Sequence, residues 1–178
     1  MKLPAGRYRA ILADPPWRFQ TWSDKGRDRA PSYQTMTPAD IAALPVADVA
    51  ADDCVLFLWM TWPMLEHALM VIDRWDFQYK TCAFCWVKLA NGEPQVGTGY
   101  WTRANSEVCL LATRGRPLRI NKDVSQAIVE PRREHSRKPD CVYERIERLV
   151  EGPYLELWAR TKREGWTQWG DEVGKYAA

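Results

Sequence analysis

Histidine is scarce in this sequence: His67 and His135 are the only two, and neither stands beside a candidate nucleophile, which argues against an imidazole-based triad. A surplus of one charge is also missing. Lys+Arg 25 against Asp+Glu 23 leaves a formal net charge of +2. That is far below the basic excess with which a protein holds nucleic acid by charge alone, so any such contact has to be a local patch. No apolar run reaches the roughly 18 residues of a membrane span, and the opening MKLPAGRYR has no apolar core of the signal-peptide kind. Neither an anchor nor a secretory leader is expected. Internal repeats, low-complexity tracts and linkers are absent as well, so the expectation is one domain over 1–178 with a substantial core.

The five cysteines, Cys54, Cys82, Cys85, Cys109 and Cys141, are odd in number and lie mostly in apolar runs. This fits buried thiols in a reducing compartment rather than a disulfide framework, and a cytoplasmic location is expected. Cys82 and Cys85 have CxxC spacing, but without a second pair or a nearby histidine they support neither zinc nor redox chemistry, and no metal is expected. Gly97 and Gly99 lack the third glycine and the strand-to-helix setting of a dinucleotide fingerprint.

What the chain has in quantity is apolar and aromatic surface: 46% of residues are hydrophobic and ten are tryptophan. Tyr8 to Ala13 is a short apolar run ending at Asp14 and reads as a strand. Cys54 to Thr61, CVLFLWMT, is continuously apolar, as in a strand buried on both faces of a mostly parallel sheet. Phe77 to Lys88, Ser106 to Thr113 and Tyr154 to Ala159 are three further strands. Thr37-Pro38-Ala39-Asp40 starts a helix, with a capping hydroxyl and proline at the first helical position. Pro63 to Trp75 and Pro139 to Val150 carry apolar residues at helical spacing, among them Met64, Ala68, Ile72 and Val142, Ile146, Val150. Arg18 to Ser32 is polar and aperiodic and reads as a long mobile loop, of a length that is usually functional or disordered. Strands alternating with helices argue for an α/β fold, a central mostly parallel sheet with helices on both faces.

Ligands of open α/β sheets bind at the carboxyl ends of strands, where Asp14-Pro15-Pro16-Trp17 stands. An exocyclic amine on a planar base is a poor nucleophile, because its lone pair is delocalised into the ring. A carboxylate and a neighbouring backbone carbonyl that both accept its N–H bonds favour a pyramidal amine with the lone pair turned toward an electrophile. Proline fixes φ at about −65° and pushes the preceding residue toward extended geometry, so the Pro15 carbonyl is rigidly mounted. Trp17 offers a face for stacking a flipped-out base, worth roughly 1–3 kcal/mol. The same four residues also fit a strand-end cap followed by a packed turn.

Seven segments carry a resemblance. They are ADPPW at Ala13 to Trp17, Tyr-x-Thr-Met at Tyr33 to Met36, LFLW at Leu56 to Trp59, WVK at Trp86 to Lys88, the loop Gly97 to Trp101, SRKPD at Ser136 to Asp140, and ELWAR with GWTQWGDE at Glu156 to Glu172. In these residues and their order the chain resembles the MT-A70 family of S-adenosylmethionine-dependent N6-adenine methyltransferases, in the compact form of its bacterial and phage members. The resemblance implies a Rossmann-like methyltransferase fold in which the catalytic motif precedes the cofactor-binding strand, a permuted order. It implies catalytic roles for Asp14, Pro15, Pro16 and Trp17. Ala13, Asp14, Lys138, Arg160, Asp171 and Glu172 would meet the cofactor, S-adenosyl-L-methionine, with S-adenosyl-L-homocysteine as product. Lys138 would face its methionine carboxylate, Arg160 its ribose side, and Asp171 and Glu172 its ribose hydroxyls, since carboxylates accept hydrogen bonds from a diol. Tyr33, Lys88, Trp101, Arg103 and Glu107 would lie near the target adenosine. Two departures stand out: only MKLPAG precedes the catalytic strand, where some relatives have an Asp-containing segment on the cofactor's adenine, and Lys162 and Arg163 replace a His-Asn pair.

The expected reaction is methyl transfer to the N6 amine of adenine in nucleic acid, DNA ahead of RNA, with a homodimer as one possible assembly and no membrane partner. A non-catalytic nucleic-acid-binding subunit of the same fold, or methylation of cytosine N4 or a glutamine, are the alternatives. Basic residues at Lys25, Arg27 and Arg29, at Arg114, Arg116, Arg119 and Lys122, and at Arg132, Arg133, Arg137 and Lys138 are expected to form a phosphate-binding rim around the site.

Overall fold

The computed structural model describes residues 2–18, 34–97, 101–134 and 136–176. Its strands are β1 (Tyr8–Ala13), β2 (Ala50–Met60), β3 (Gln78–Ala90), β4 (Glu93–Pro94), β5 (Ser106–Arg114), β6 (Ala127–Pro131), β7 (Tyr154–Leu157) and β8 (Trp166–Trp169). The helices are α1 (Pro38–Ala42), α2 (Leu65–Arg74) and α3 (Cys141–Leu149). All the strands join one sheet in the order β4-β3-β5-β2-β1-β7-β8, with β6 paired to β3.

Alternation along the central strands explains the two layers. Ile11, Ala13, Leu56, Leu58 and Met60 face one way and join Ile41 of α1 and Ala68, Val71 and Ile72 of α2 in one core cluster. Ala10, Leu12, Val55, Phe57 and Trp59 face the other way and join Val142 and Ile146 of α3. Side chains on a strand alternate with period 2, so an uninterrupted apolar run such as that of β2 can only be buried on both faces at once. At α1, the Thr37 hydroxyl accepts the Asp40 N–H at 3.1 Å, and proline holds the first helical position, as the sequence predicts. A 3-10 turn over Trp62–Met64 precedes α2, so that helix begins at Leu65 rather than at Pro63.

The Rossmann-like α/β architecture stands, with β5 and the two-residue β4 set against the grain. β1 is parallel to both β2 and β7, and β7 to β8, whereas β5 runs antiparallel to β2 and β3. Ala13 pairs with Leu58 and with Leu157, so Asp14, Trp59 and Trp158 emerge together at one end of the sheet. There Trp158 takes φ 58, an unusual conformation for a bulky residue, and turns the chain toward Arg160. A Cβ on Gly170 would lie 2.9 Å from the Trp158 Cα, so only glycine lets the chain after β8 lie against that turn.

The direction of β5 corrects one expectation. Arg114, at its end, pairs with Cys54, five residues before Trp59 and so roughly 15 Å from the Asp14 end of the sheet at ~3.3 Å per residue. Arg114, Arg116, Arg119 and Lys122 therefore belong to the opposite end and form no rim around Asp14. Among the described residues no helix is long and apolar enough to cross a membrane.

Candidate active site

Asp14 leaves β1 at the carboxyl end and meets two cations. The Lys138 ammonium lies 2.8 Å from each of its oxygens, and the Arg160 guanidinium donates to Oδ2 at 2.8 Å. Arg160 also donates to the Ser136 carbonyl at 3.1 Å and to Glu172 at 2.9 Å. On its other side Lys138 reaches Glu107 at 3.4 Å, and Glu107 is ion-paired with Lys88. One chain of alternating charges thus runs from Lys88 through Glu107, Lys138, Asp14 and Arg160 to Glu172. Burial pulls the Lys138 ammonium down, but the carboxylates of Asp14 and Glu107 outweigh it and hold it above the ordinary lysine range. Burial pushes Glu107 up, and Lys138 and Lys88 outweigh it and hold its carboxyl below the usual value.

The turn after Asp14 is tighter than the sequence suggests. The Pro15 carbonyl accepts the Trp17 N–H at 2.8 Å, an i to i+2 bond of the γ-turn kind, so it is partly engaged rather than wholly turned outward. Pro16 accepts the Met36 N–H at 2.8 Å, and Arg18 donates to the Met36 carbonyl at 2.9 Å, tying the motif to the Tyr-x-Thr-Met segment. Trp17 is 7% exposed, and its indole N–H donates to the Trp59 carbonyl at 3.0 Å. Packed in this way it is a fixed wall of the larger recess. Ala13 is fully buried in the core cluster, and its side chain borders neither recess described below.

Two recesses meet at Asp14, Trp59 and Lys138. The larger, of about 270 Å³, is lined by Asp14, Pro15, Trp17, Trp86, Lys88 and Glu107, among others. The smaller lies on the β7 side against Tyr143, Glu156, Trp158 and Arg160. Lys88 and Glu107, two of the expected substrate contacts, are thus brought together at the larger recess. Trp101 is not brought in: it stands 94% exposed, and neither it nor Arg103 lines a recess. Asp171 is exposed, whereas Glu172 is held by Arg160 and Lys175. Tyr33, Lys25, Arg27, Arg29, Gly99 and His135 lie outside the described residues. In the SRKPD region the expected rim is neutralised from within, since Arg133 pairs with Asp140 and Arg137 with Glu134 and Asp140. Arg132 does line the larger recess.

Glu156 is the site residue that sequence reasoning missed. It sits inside the apolar strand YLELWA, 7% exposed, with the Tyr143 hydroxyl 3.0 and 3.1 Å from its two oxygens. Burial pushes its carboxyl up to about 8. The signal was a charged residue at a core position of a strand, where an acid is costly unless it serves the site.

The donor set fits a ligand that carries both an anionic and a cationic end. Lys138 and Arg160 offer positive charge, and Asp14, Glu156 and Glu172 offer acceptors, within one short stretch of strand ends. Among the described residues no group of three or more His, Cys, Asp or Glu is placed to hold a metal ion.

Comparison with known proteins agrees with this arrangement. A family model described as MT-A70 matches residues 8–172. The type II methyltransferase M.MunI of a Mycoplasma species is 30% identical over 192 residues, covering 97% of this chain and 80% of that protein. The human N(6)-adenosine-methyltransferase catalytic subunit METTL3 is 29% identical over 175 residues, 94% of this chain but 28% of that protein. A probable N(6)-adenosine-methyltransferase MT-A70-like of Oryza sativa subsp. japonica is 30% identical over 94% of this chain and 23% of its own length. The chain thus spans most of the first relative and about a quarter of the plant and human ones.

Proposed function

The chain belongs to the MT-A70 family of methyltransferases, and on that footing we propose that it transfers a methyl group from S-adenosyl-L-methionine to the N6 amine of adenine in nucleic acid, DNA in preference to RNA. One observation carries the reading, the count of acceptor positions at the mouth of the larger recess. A carboxylate has about four lone-pair sites. Among the described residues three of those on Asp14 are taken, two by Lys138 and one by Arg160, which leaves one on Oδ1. The Pro15 carbonyl has two and gives one to Trp17. One acceptor on each group matches the two N–H donors of a primary amine. The DNA preference follows the resemblance to bacterial and phage members, and the match covers 80% of a type II methyltransferase against 28% of the human adenosine methyltransferase.

When bound, S-adenosylmethionine supplies an electrophilic methyl group on a positively charged sulfur. Lys138 and Arg160 would hold its anionic end, and Glu172 a ribose hydroxyl. Asp14 and the Pro15 carbonyl orient the target amine so that its lone pair faces the methyl carbon, which turns an encounter into an in-line displacement. Positive charge then passes to the amine nitrogen, where the Asp14 carboxylate stabilises it. The amine loses its proton only after attack, so Asp14 acts by position and charge and not as a strong base. Trp17, Trp59 and Trp86 keep water from the reacting atoms.

The test is incubation of the purified protein with labelled methyl donor and DNA or RNA in parallel, followed by mass spectrometry of the nucleosides. N6-methyladenine from DNA is the expected product. Label on RNA alone would reverse the preference, and label on cytosine, or on no base, would overturn the assignment.

A further inference from the structure

The cations that line the larger recess are already partnered, with one exception. Lys88 is paired with Glu107, Lys138 with Asp14 and Glu107, and Arg137 with Glu134 and Asp140. Arg132 lines the same recess, and its guanidinium meets neither a carboxylate nor any other acceptor among the described residues. The neighbouring Glu134 is taken, with Arg137 at 3.4 Å and Arg133 at 4.0 Å. The recess therefore keeps one cation that its own acids do not neutralise.

The backbone of Arg132 is fixed although the residue is exposed. Glu130 and Pro131 pair with Lys88 and Leu89 in the β6–β3 ladder, and the Arg132 N–H donates to the Leu89 carbonyl at 3.1 Å. Both β3 and β2 run antiparallel to β5, so they are parallel to each other and end on the Asp14 side of the sheet. Arg132 is thus carried on ordered backbone at the end of the sheet where the amine is received. Its planar fork of donors matches two oxygens of one phosphate. It does not line the smaller recess, so the anionic end of the methyl donor, given to Lys138 and Arg160, is not its partner.

We propose that Arg132 binds a backbone phosphate next to the flipped-out target nucleotide. The inference rests on the proposed reading of the larger recess as the seat of a base in a polynucleotide. A base that reaches Asp14 leaves its sugar and two flanking phosphodiesters at the mouth, and each phosphodiester carries a negative charge. Such a contact fixes the register of the strand without reading its sequence. It also separates a polynucleotide from a free nucleoside, which offers the recess the same base and no phosphate.

The test measures binding of wild type, Arg132→Gln and Arg132→Lys to an oligonucleotide with a single adenine, by fluorescence anisotropy. The two phosphates that flank the adenine are replaced in turn by a neutral methylphosphonate. Wild type should lose about tenfold in affinity on one of the two neutral linkages, the magnitude of a charge-assisted hydrogen bond, and Arg132→Gln should show no such extra loss. The slope of log affinity against log salt should fall by about one in Arg132→Gln and be kept in Arg132→Lys, which retains the charge. Equal losses by wild type and Arg132→Gln at both linkages, or an unchanged salt slope, overturn the proposal. Calorimetric titration with S-adenosylmethionine should give the same affinity for all three proteins; a fall in Arg132→Gln would assign the cation to the cofactor and overturn it as well. These are equilibrium measurements and need no turnover. An oligonucleotide that binds in this way but takes up no methyl label counts against the proposed reaction and leaves the phosphate contact in place, whereas a wild type that binds no oligonucleotide overturns both.

Discussion

Glu156→Gln should remove a pH-dependent loss of stability. Glu156 is buried, and its carboxyl is raised from an ordinary 4.5 to about 8. Between those values the unfolded chain has released the proton while the folded protein still holds it, so folding takes up a proton and stability falls as pH rises. The contribution is fully present below 4.5 and is lost as pH climbs through about 8, where the folded carboxyl ionises as well. One pH unit inside that window corresponds to about 1.4 kcal/mol, and the slope halves at the folded value, so from pH 6 to pH 8 wild type should lose about 2 kcal/mol relative to the variant. Glutamine has nothing to release and keeps an oxygen for the Tyr143 hydroxyl, now 3.0 Å from the acid. Urea denaturation of both proteins at half-unit steps from pH 6 to pH 9 measures the difference directly, and every other titrating group cancels. Two stability curves that run parallel within about 0.5 kcal/mol would refute the placement of a neutral acid beside Asp14.

Asp14→Asn should abolish methyl transfer, because it replaces the charge that faces the developing cation. It also leaves Lys138 and Arg160 without their shared carboxylate, so chemical denaturation should show a loss of about 3–5 kcal/mol, the usual result of breaking a buried ion pair from one side. Gly170→Ala should cost about 1–3 kcal/mol in thermal unfolding, since the new Cβ meets the Trp158 Cα at 2.9 Å at a residue whose φ is 152. The same change should weaken donor binding, read by titration calorimetry, because Trp158 sets the turn that aims Arg160.

The elements with strong apolar patterns were legible from the chain: β1, the apolar run of β2, α2, α3 and β7 all lie where periodicity puts them. β6 and β8 were not. β6 is a short edge strand, with Val129 exposed and Pro131 at its end, and the four residues of β8 are too few to show a period. The misplacement of Arg114 to Lys122 has a single physical origin. A sheet read as mostly parallel puts every strand's carboxyl end on the same side, and one antiparallel strand sends its own end to the other. In the site, Asp14, Lys88, Glu107, Lys138 and Arg160 could be identified, but which of them pair with one another could not. Asp14 and Lys138 are 124 residues apart in sequence, and no local pattern links them. The γ-turn that occupies half of the Pro15 carbonyl follows from the φ of a single turn and leaves no mark on composition.

The central place of β1 also has a consequence for synthesis. β1 is made before both its neighbours, β2 on one edge and β7 on the other in the finished sheet, and Asp14 at its tip is held by Arg160 across 146 residues of sequence. Until β7 has been translated, one edge of Tyr8–Ala13 has no strand to pair with, and its apolar side chains have nothing on that side to cover them. Contacts of such separation form late and slowly. A ribosome-bound chain therefore has the reactive aspartate long before it has the cations that hold it, and a stall anywhere before β7 leaves an unpaired apolar strand open to aggregation.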